Sequence, residues 1–154
     1  MNSAELRKIG FKKWIKIKPR EYEYNRDVIL NLPKKQGVYV VRANKRIPRL
    51  KGDSDILYIG RGVIQRRIQA LLRSYLPLNF RDYISKHSAR EAFERVINEL
   101  GLEVEVSYVL TEENENSEEV KKKSREKAKE LESALLRRFC QDHIEPPPLN
   151  NTRE

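Results

Sequence analysis

Two short triplets, Gly37-Val38-Tyr39 and Tyr58-Ile59-Gly60, constrain this chain more than any other feature. Each sits in a run rich in Val, Ile and Tyr, from Gly37 to Ala43 and from Ile56 to Gly60, and such runs favour strands. Between them, NKRIPRLKGDSD places Pro48 and Gly52 among turn-forming side chains, which predicts an antiparallel hairpin with a long loop. Gly60 and Gly62 then break the strand pattern, and a helix is expected to begin near Val63.

That helix carries Ile64, Ile68, Leu71, Leu72 and Tyr75 on one face. At roughly 100° per residue, Arg66 falls opposite the apolar stripe, and Arg67 lies on its flank, about 60° from Ile64. The two arginines therefore have different prospects: Arg66 is a solvated surface charge, and Arg67 can reach over the sheet edge. A second helix is expected from Ala89 to Leu100, stopped by Gly101. From Leu102 to Leu110, alternation of Val104, Val106 and Tyr108 with Glu103, Glu105 and Ser107 predicts a half-buried third strand.

The charged run from Glu112 to Lys129 reads as the solvated first turns of a long helix, with Ser117 as N-cap and Glu118 and Glu119 suited to its dipole. Lys121, Lys122 and Lys123 belong to that solvated face, with nucleic-acid contact as the alternative. Ala128, Leu131, Leu135, Leu136 and Phe139 make the rest of the helix amphipathic, and Pro146, Pro147 and Pro148 end it. Projected from Ala128, Glu130 lies about 200° away and faces water, whereas Glu132 lies about 40° away, inside the apolar stripe. A carboxylate there needs a cation, a metal or hydrogen-bond donors; an ion pair to a structural Arg or Lys satisfies it as well as a functional site does.

With 154 residues the chain suits one domain with one modest core. Its formal charge of +9 is unevenly distributed. Residues 1–35 carry 10 basic and 4 acidic side chains, residues 36–100 carry 13 and 6, and residues 101–154 carry 9 and 13. The basic excess thus coincides with the triplets and Arg67, and it suits a polyanionic partner. The single cysteine, Cys140, excludes an intramolecular disulfide and a four-cysteine zinc site; it is expected to be a small core residue near a helix end. Residues 11–18 alternate apolar side chains with Lys as a short strand does, with Trp14 a packing residue. The absence of an apolar run long enough for a membrane span or a signal peptide leads to the expectation of an intracellular, cytoplasmic protein without a membrane partner.

The paired triplets, followed by a helix with Arg67, resemble the GIY-YIG nuclease superfamily. The likeness extends to the last helix, where Glu132-Ser133-Ala134-Leu135-Leu136 and then Pro147-Pro148-Leu149-Asn150 match the family's metal-binding Glu, apolar run and Pro-containing segment ending in Asn. It covers roughly residues 36–151, with residues 1–35 as a basic extension packed on or flanking the core and 152–154 as a tail. The implied fold is a small mixed α/β (α+β) domain, a central antiparallel three-stranded sheet flanked by helices. The implied activity is divalent-metal-dependent endonucleolytic hydrolysis of phosphodiester bonds. In that reading Tyr39 and Tyr58 face the cleft, Arg67 contacts the scissile phosphate, Glu132 holds one Mg²⁺ or Mn²⁺, and Asn150, with Asn151 competing for the role, shapes the site. Arg61, following the second triplet, is either a phosphate contact or a surface charge. The basic loop from Arg42 to Lys51, with Arg42, Lys45 and Arg46, and the segment from Ser74 to Arg90 are candidate nucleic-acid contacts.

Two features depart from the family pattern. The interval from Tyr58 to Arg67 is one residue short, so the loop through Gly62 is tighter or Arg66 and Arg67 exchange roles. Many relatives place His or Tyr where this chain has Leu71, Tyr75 replaces it only if the helix is displaced, and His87 and His143 are expected at the surface or at helix ends. The chemistry remains coherent. One Mg²⁺ needs few protein carboxylates, Arg67 offers bidentate donors to phosphate oxygens, and Tyr39, alone or with Tyr58, orients the attacking water. The expected partner is DNA, with branched or structured DNA among the candidates and RNA as an open alternative; repair and restriction are the settings implied. The competing readings are an inactive nucleic-acid-binding module of the same fold, a short-site restriction endonuclease, and a basic structural or ribosome-associated protein.

Overall fold

The structure is a computed structural model that describes residues 1–80, 86–112 and 117–151. Four antiparallel strands form its sheet: β1 (Ile15–Lys16), β2 (Gln36–Pro48), β3 (Asp53–Val63) and β4 (Val104–Leu110), in the order β1-β4-β2-β3. The three-stranded expectation therefore falls short by one strand. Ile15 and Lys16 pair with Val106 and Glu105, so the N-terminal strand extends the sheet at its β4 side. Among the described residues there are five α-helices: α1 (Ser3–Leu6), α2 (Tyr22–Leu30), α3 (Ile64–Leu71), α4 (Arg90–Asn98) and α5 (Glu118–His143).

The hairpin is longer and its turn shorter than the sequence suggested. Pairing continues beyond Arg42 through a register shift to Ile47 and Pro48, and the reversal falls within Arg49–Gly52, where Arg49 N–H donates to the Gly52 carbonyl at 2.9 Å. Gly52 turns there with φ +68°, a backbone region unfavourable to a side chain. At its other end β3 continues through Gly62 into Val63, and α3 starts at once without a loop.

Alternation along β2 and β3 divides the interior in two. One sheet face presents Val38, Val40, Ile56 and Ile59 to Ala128, Leu135 and Phe139 of α5 and to Leu6 and Phe11. The other presents Tyr39, Val41 and Leu57 to Ile64, Ile68 and Leu71 of α3 and to Phe93 of α4. Residues 1–35 contribute Leu6, Phe11, Ile17, Ile29 and Leu32 to these interiors. Buried Asn25 joins that segment to the end of the α3 region, donating to the carbonyls of Lys18 and Tyr75.

Ser117 caps α5 as expected, its hydroxyl accepting from Val120 N–H. The helix ends at His143, before the prolines, with Ile144 in the left-handed region at φ 67°. One expectation fails here. Cys140 is exposed, because it falls on the outer side of α5 away from Phe139. His143 is at a helix end as expected, as the last residue of α5, and there it is buried, its Nδ1–H donating to the Lys51 carbonyl at 2.8 Å. No helix among the described residues is long and apolar enough to cross a membrane.

Candidate active site

The two triplets lie side by side because β2 and β3 pair Tyr39 with Gly60. A side chain at Gly60 would begin 2.6 Å from the Tyr39 ring and hydroxyl and 2.6 Å from Tyr58 Cε2. The missing Cβ is what allows the Tyr39 ring to lie across β3 beside Tyr58, with ring centroids 5.9 Å apart. Gly37 has an equivalent restriction, since its Cβ would meet the Val109 carbonyl oxygen at 2.3 Å. Both glycines are thus space requirements of the tyrosine pair and its strand.

Gly62 does the same for Arg67. It has φ +136°, and a Cβ there would sit 2.7 Å from Arg67 Cγ, so the arginine stem runs against bare backbone. Arg67 is half-buried and acts electrostatically on Tyr39, Tyr58 and His87; Arg66 is exposed. Between Tyr58 and Arg67, β3 passes directly into α3, and it is Arg67, not Arg66, that turns toward the tyrosines.

Leu71 is fully buried in the apolar interior, and the group beside Tyr39 is His87. His87 flanks the start of α4, but the surface position expected for it is incorrect: only 3% of it is exposed, and its Nε2 lies 2.6 Å from the Tyr39 hydroxyl. The tautomer follows from the other ring nitrogen. Ala89 N–H donates to His87 Nδ1 at 3.0 Å, so in the neutral ring the proton resides on Nε2 and is donated to the Tyr39 oxygen. The ring is neutral at ordinary pH, because burial, followed by the charges of Arg67 and Arg90, lowers its pKa from 6.5 to about 4.

Tyr39 is wholly buried, and that burial pushes its phenol well above the usual value, with Arg67 pulling the other way. Tyr58 is half-buried and is also raised, chiefly by burial. Tyr39 and Tyr58 are hydrogen-bonded to each other, and because the Tyr39 oxygen accepts from His87 Nε2–H, its own hydroxyl proton is left to donate to Tyr58. The order is therefore His87 to Tyr39 to Tyr58, from interior to surface.

Glu132 approaches from the opposite face. It projects from α5 toward Arg61 at the outer strand, where Arg61 Nε donates to Glu132 Oε1 at 3.1 Å. Its negative charge raises the Tyr58 pKa, so the carboxylate and this phenol influence one another around the β3 edge. Burial lifts Glu132 above the usual carboxylate range, and Arg61 offsets only part of the rise. Glu130 is exposed. Near the same edge, Asn150 brackets Ile59: its Oδ1 accepts from Ile59 N–H at 2.9 Å and its Nδ2 donates to the Ile59 carbonyl at 2.8 Å. The Asn151 side chain, like residues 81–85 of the Ser74–Arg90 segment, residues 113–116 of the charged run and the 152–154 tail, lies outside the described residues.

The remaining basic candidates are elsewhere. Arg42 is held at the sheet centre, donating to Glu105 Oε1 from Nε at 3.1 Å and Nη2 at 2.9 Å while stacking 4.0 Å over the Trp14 ring. Lys45 and Arg46 are exposed further along β2, with Arg46 paired at 3.6 Å to Asp53. Six residues of strand separate Lys45 from Tyr39, about 20 Å of chain.

Among the described residues no three His, Cys, Asp or Glu side chains group to hold a metal. A single carboxylate is nevertheless compatible with Mg²⁺, which keeps several waters and takes phosphate oxygens as further ligands. Glu132 suits this arrangement, being half-buried, raised in pKa despite its partner, and paired with an arginine exposed enough to move aside. Compared with known proteins, the chain matches no family model, no curated protein and no solved structure.

Proposed function

We propose that this chain is a divalent-metal-dependent endonuclease of the GIY-YIG type, acting on DNA at the β3 edge. The observation that carries the reading is the convergence of Tyr39, Tyr58, Arg67 and His87 beside the second triplet, with a strained-in-charge carboxylate, Glu132, felt by Tyr58.

Tyr58, in place of the wholly buried Tyr39 to which the sequence reading gave the role, is the phenol nearest the surface and positions the attacking water. Behind it, Tyr39 donates to the Tyr58 oxygen, and His87 Nε2–H holds the Tyr39 oxygen in place. Both phenols are protonated at neutral pH, so they orient rather than abstract. Arg67 offers planar donors to the phosphate oxygens as negative charge accumulates. Glu132 would hold Mg²⁺ or Mn²⁺, which supplies charge neutralisation at the leaving 3′ oxygen. Arg61 releases Glu132 and turns its guanidinium to the substrate backbone.

The test compares wild type and Glu132→Ala on plasmid, branched DNA, single-stranded DNA and RNA, with and without Mg²⁺ or Mn²⁺. Metal-dependent cutting that the variant loses while retaining binding supports the endonuclease. Binding by both proteins with no cutting of any substrate supports the inactive binding module instead, a reading favoured by the pairing of Glu132 with Arg61.

A further inference from the structure

His87 separates two spaces. One side of its ring meets Tyr39, and the other opens on a cavity of about 660 Å³ between the end of the α3 region and the start of α4. Arg73, Lys86 and Arg90 bring three cations to the wall, against Glu91 and Glu94. Glu94 accepts from the Ser74 hydroxyl and keeps its charge, so three cations face two carboxylates and the wall carries a small basic excess. Its size falls within the roughly 300–1,000 Å³ typical of sites for small ligands.

Arg90 supplies an independent observation. Its Nη1 is buried from solvent and meets no hydrogen-bond partner among the described residues. Shielded as it is, this donor reaches an anionic oxygen only when the guanidinium turns into the cavity that Arg90 lines, which would end an unpaired state costing on the order of 1–3 kcal/mol. Arg90 is also close enough to His87 to depress its protonation, as Arg67 is from its own position. The two arginines therefore bracket one imidazole, Arg67 toward the proposed reaction centre and Arg90 toward the cavity.

We propose that this cavity binds the nucleotide next to the scissile linkage in the cut strand, with its phosphate held by Arg90, Arg73 and Lys86. The inference rests on the endonuclease reading for its substrate and deepens it: a strand crossing Arg67 continues past His87 into the cavity. Recognition there is of phosphate and nucleotide bulk, and it is independent of base sequence. Arg90 is a substrate-binding residue in this account and takes no part in bond breaking.

Two measurements keep the cavity and the chemistry apart. In the first, the wild-type protein and its Arg90→Ala and Arg90→Lys variants are titrated with thymidine 5′-monophosphate and with thymidine, without metal, by following the His87 ring protons in NMR spectra. The nucleotide should move the His87 signals in wild type and in Arg90→Lys, with little shift in Arg90→Ala and none from thymidine. Equal response to nucleotide and nucleoside, or an undiminished response in a folded Arg90→Ala protein, overturns the proposal. In the second, metal-free binding of a labelled DNA 20-mer is measured from low to moderate salt. Loss of one phosphate contact should lower the slope of log K against log salt by about one for Arg90→Ala and leave it unchanged for Arg125→Ala on distant α5. An identical slope for wild type and Arg90→Ala contradicts the cavity assignment. A nucleotide site that is sensitive to Arg90 in a protein that cuts nothing would refute the endonuclease while leaving the cavity occupied.

Discussion

Burial of a neutral imidazole beside two arginines has a consequence for folding as well as for the site. The pKa of His87 is near 4 in the folded chain and 6.5 when unperturbed. Between those values the unfolded chain binds a proton that the folded chain refuses, so stability falls as pH drops from about 6.5 to 4 and is fully present above that window. The difference corresponds to about 3 kcal/mol at most. Chemical denaturation at pH 7 and pH 4.5 should show a smaller acid loss for His87→Gln than for wild type; parallel losses would contradict the burial argument. Tyr39→Phe removes the oxygen that accepts from His87 Nε2–H, and it should cost about 1–3 kcal/mol while reducing cleavage by 10²-fold or more. Tyr58→Phe should reduce cleavage similarly and also cost about 1–3 kcal/mol, since it leaves the wholly buried Tyr39 hydroxyl without its acceptor.

At the scale of elements, the hairpin and α3 were legible because their residues alternate or recur with one period over several turns. The glycines of both triplets were legible as motif but not as cause. That a Gly60 side chain would strike two tyrosines depends on which residue lies across the strand, and the pairing of Tyr39 with Gly60 is a tertiary fact. Gly60→Ala should therefore destabilise the fold by about 1–3 kcal/mol through overpacking and also displace both phenols; thermal melts and ring-proton spectra test the two effects together. Helix α2 went unassigned because Glu, Tyr, Asn and Arg obscure its apolar side, and only Asn25 and Ile29 are buried. The carboxylate pattern on α5 was readable, since roughly 100° per residue separates Glu130 from Glu132 regardless of what the helix packs against. Its partner Arg61 was not, because that contact spans 71 residues. Asn150→Ala would remove both bonds to Ile59, loosening the β3 edge, with an expected cost of about 1–3 kcal/mol in denaturant unfolding.

Across the whole molecule, the sheet divides the labour. The inner-facing tyrosines, Arg67 and His87 occupy one side, Glu132 and Arg61 the other, and β3 is the outer strand around which they meet. His87 escaped the sequence reading for the same reason: nothing in a lone histidine ahead of a helix indicates a tyrosine 48 residues earlier. The general basic charge of the first 100 residues did not identify the contacts either, since Arg42 is consumed by Glu105 and Trp14 while Arg67 and Arg90 adjoin the site. The central claim is that both sides of β3 act as one hydrolytic centre. Its most direct test is the Mg²⁺-dependent nicking rate of supercoiled plasmid, measured together for wild type, Arg67→Ala and Glu132→Ala. The account predicts nicking by wild type and a loss of at least about 10²-fold in each variant. Unchanged rates in either variant, or no nicking by wild type, would contradict it.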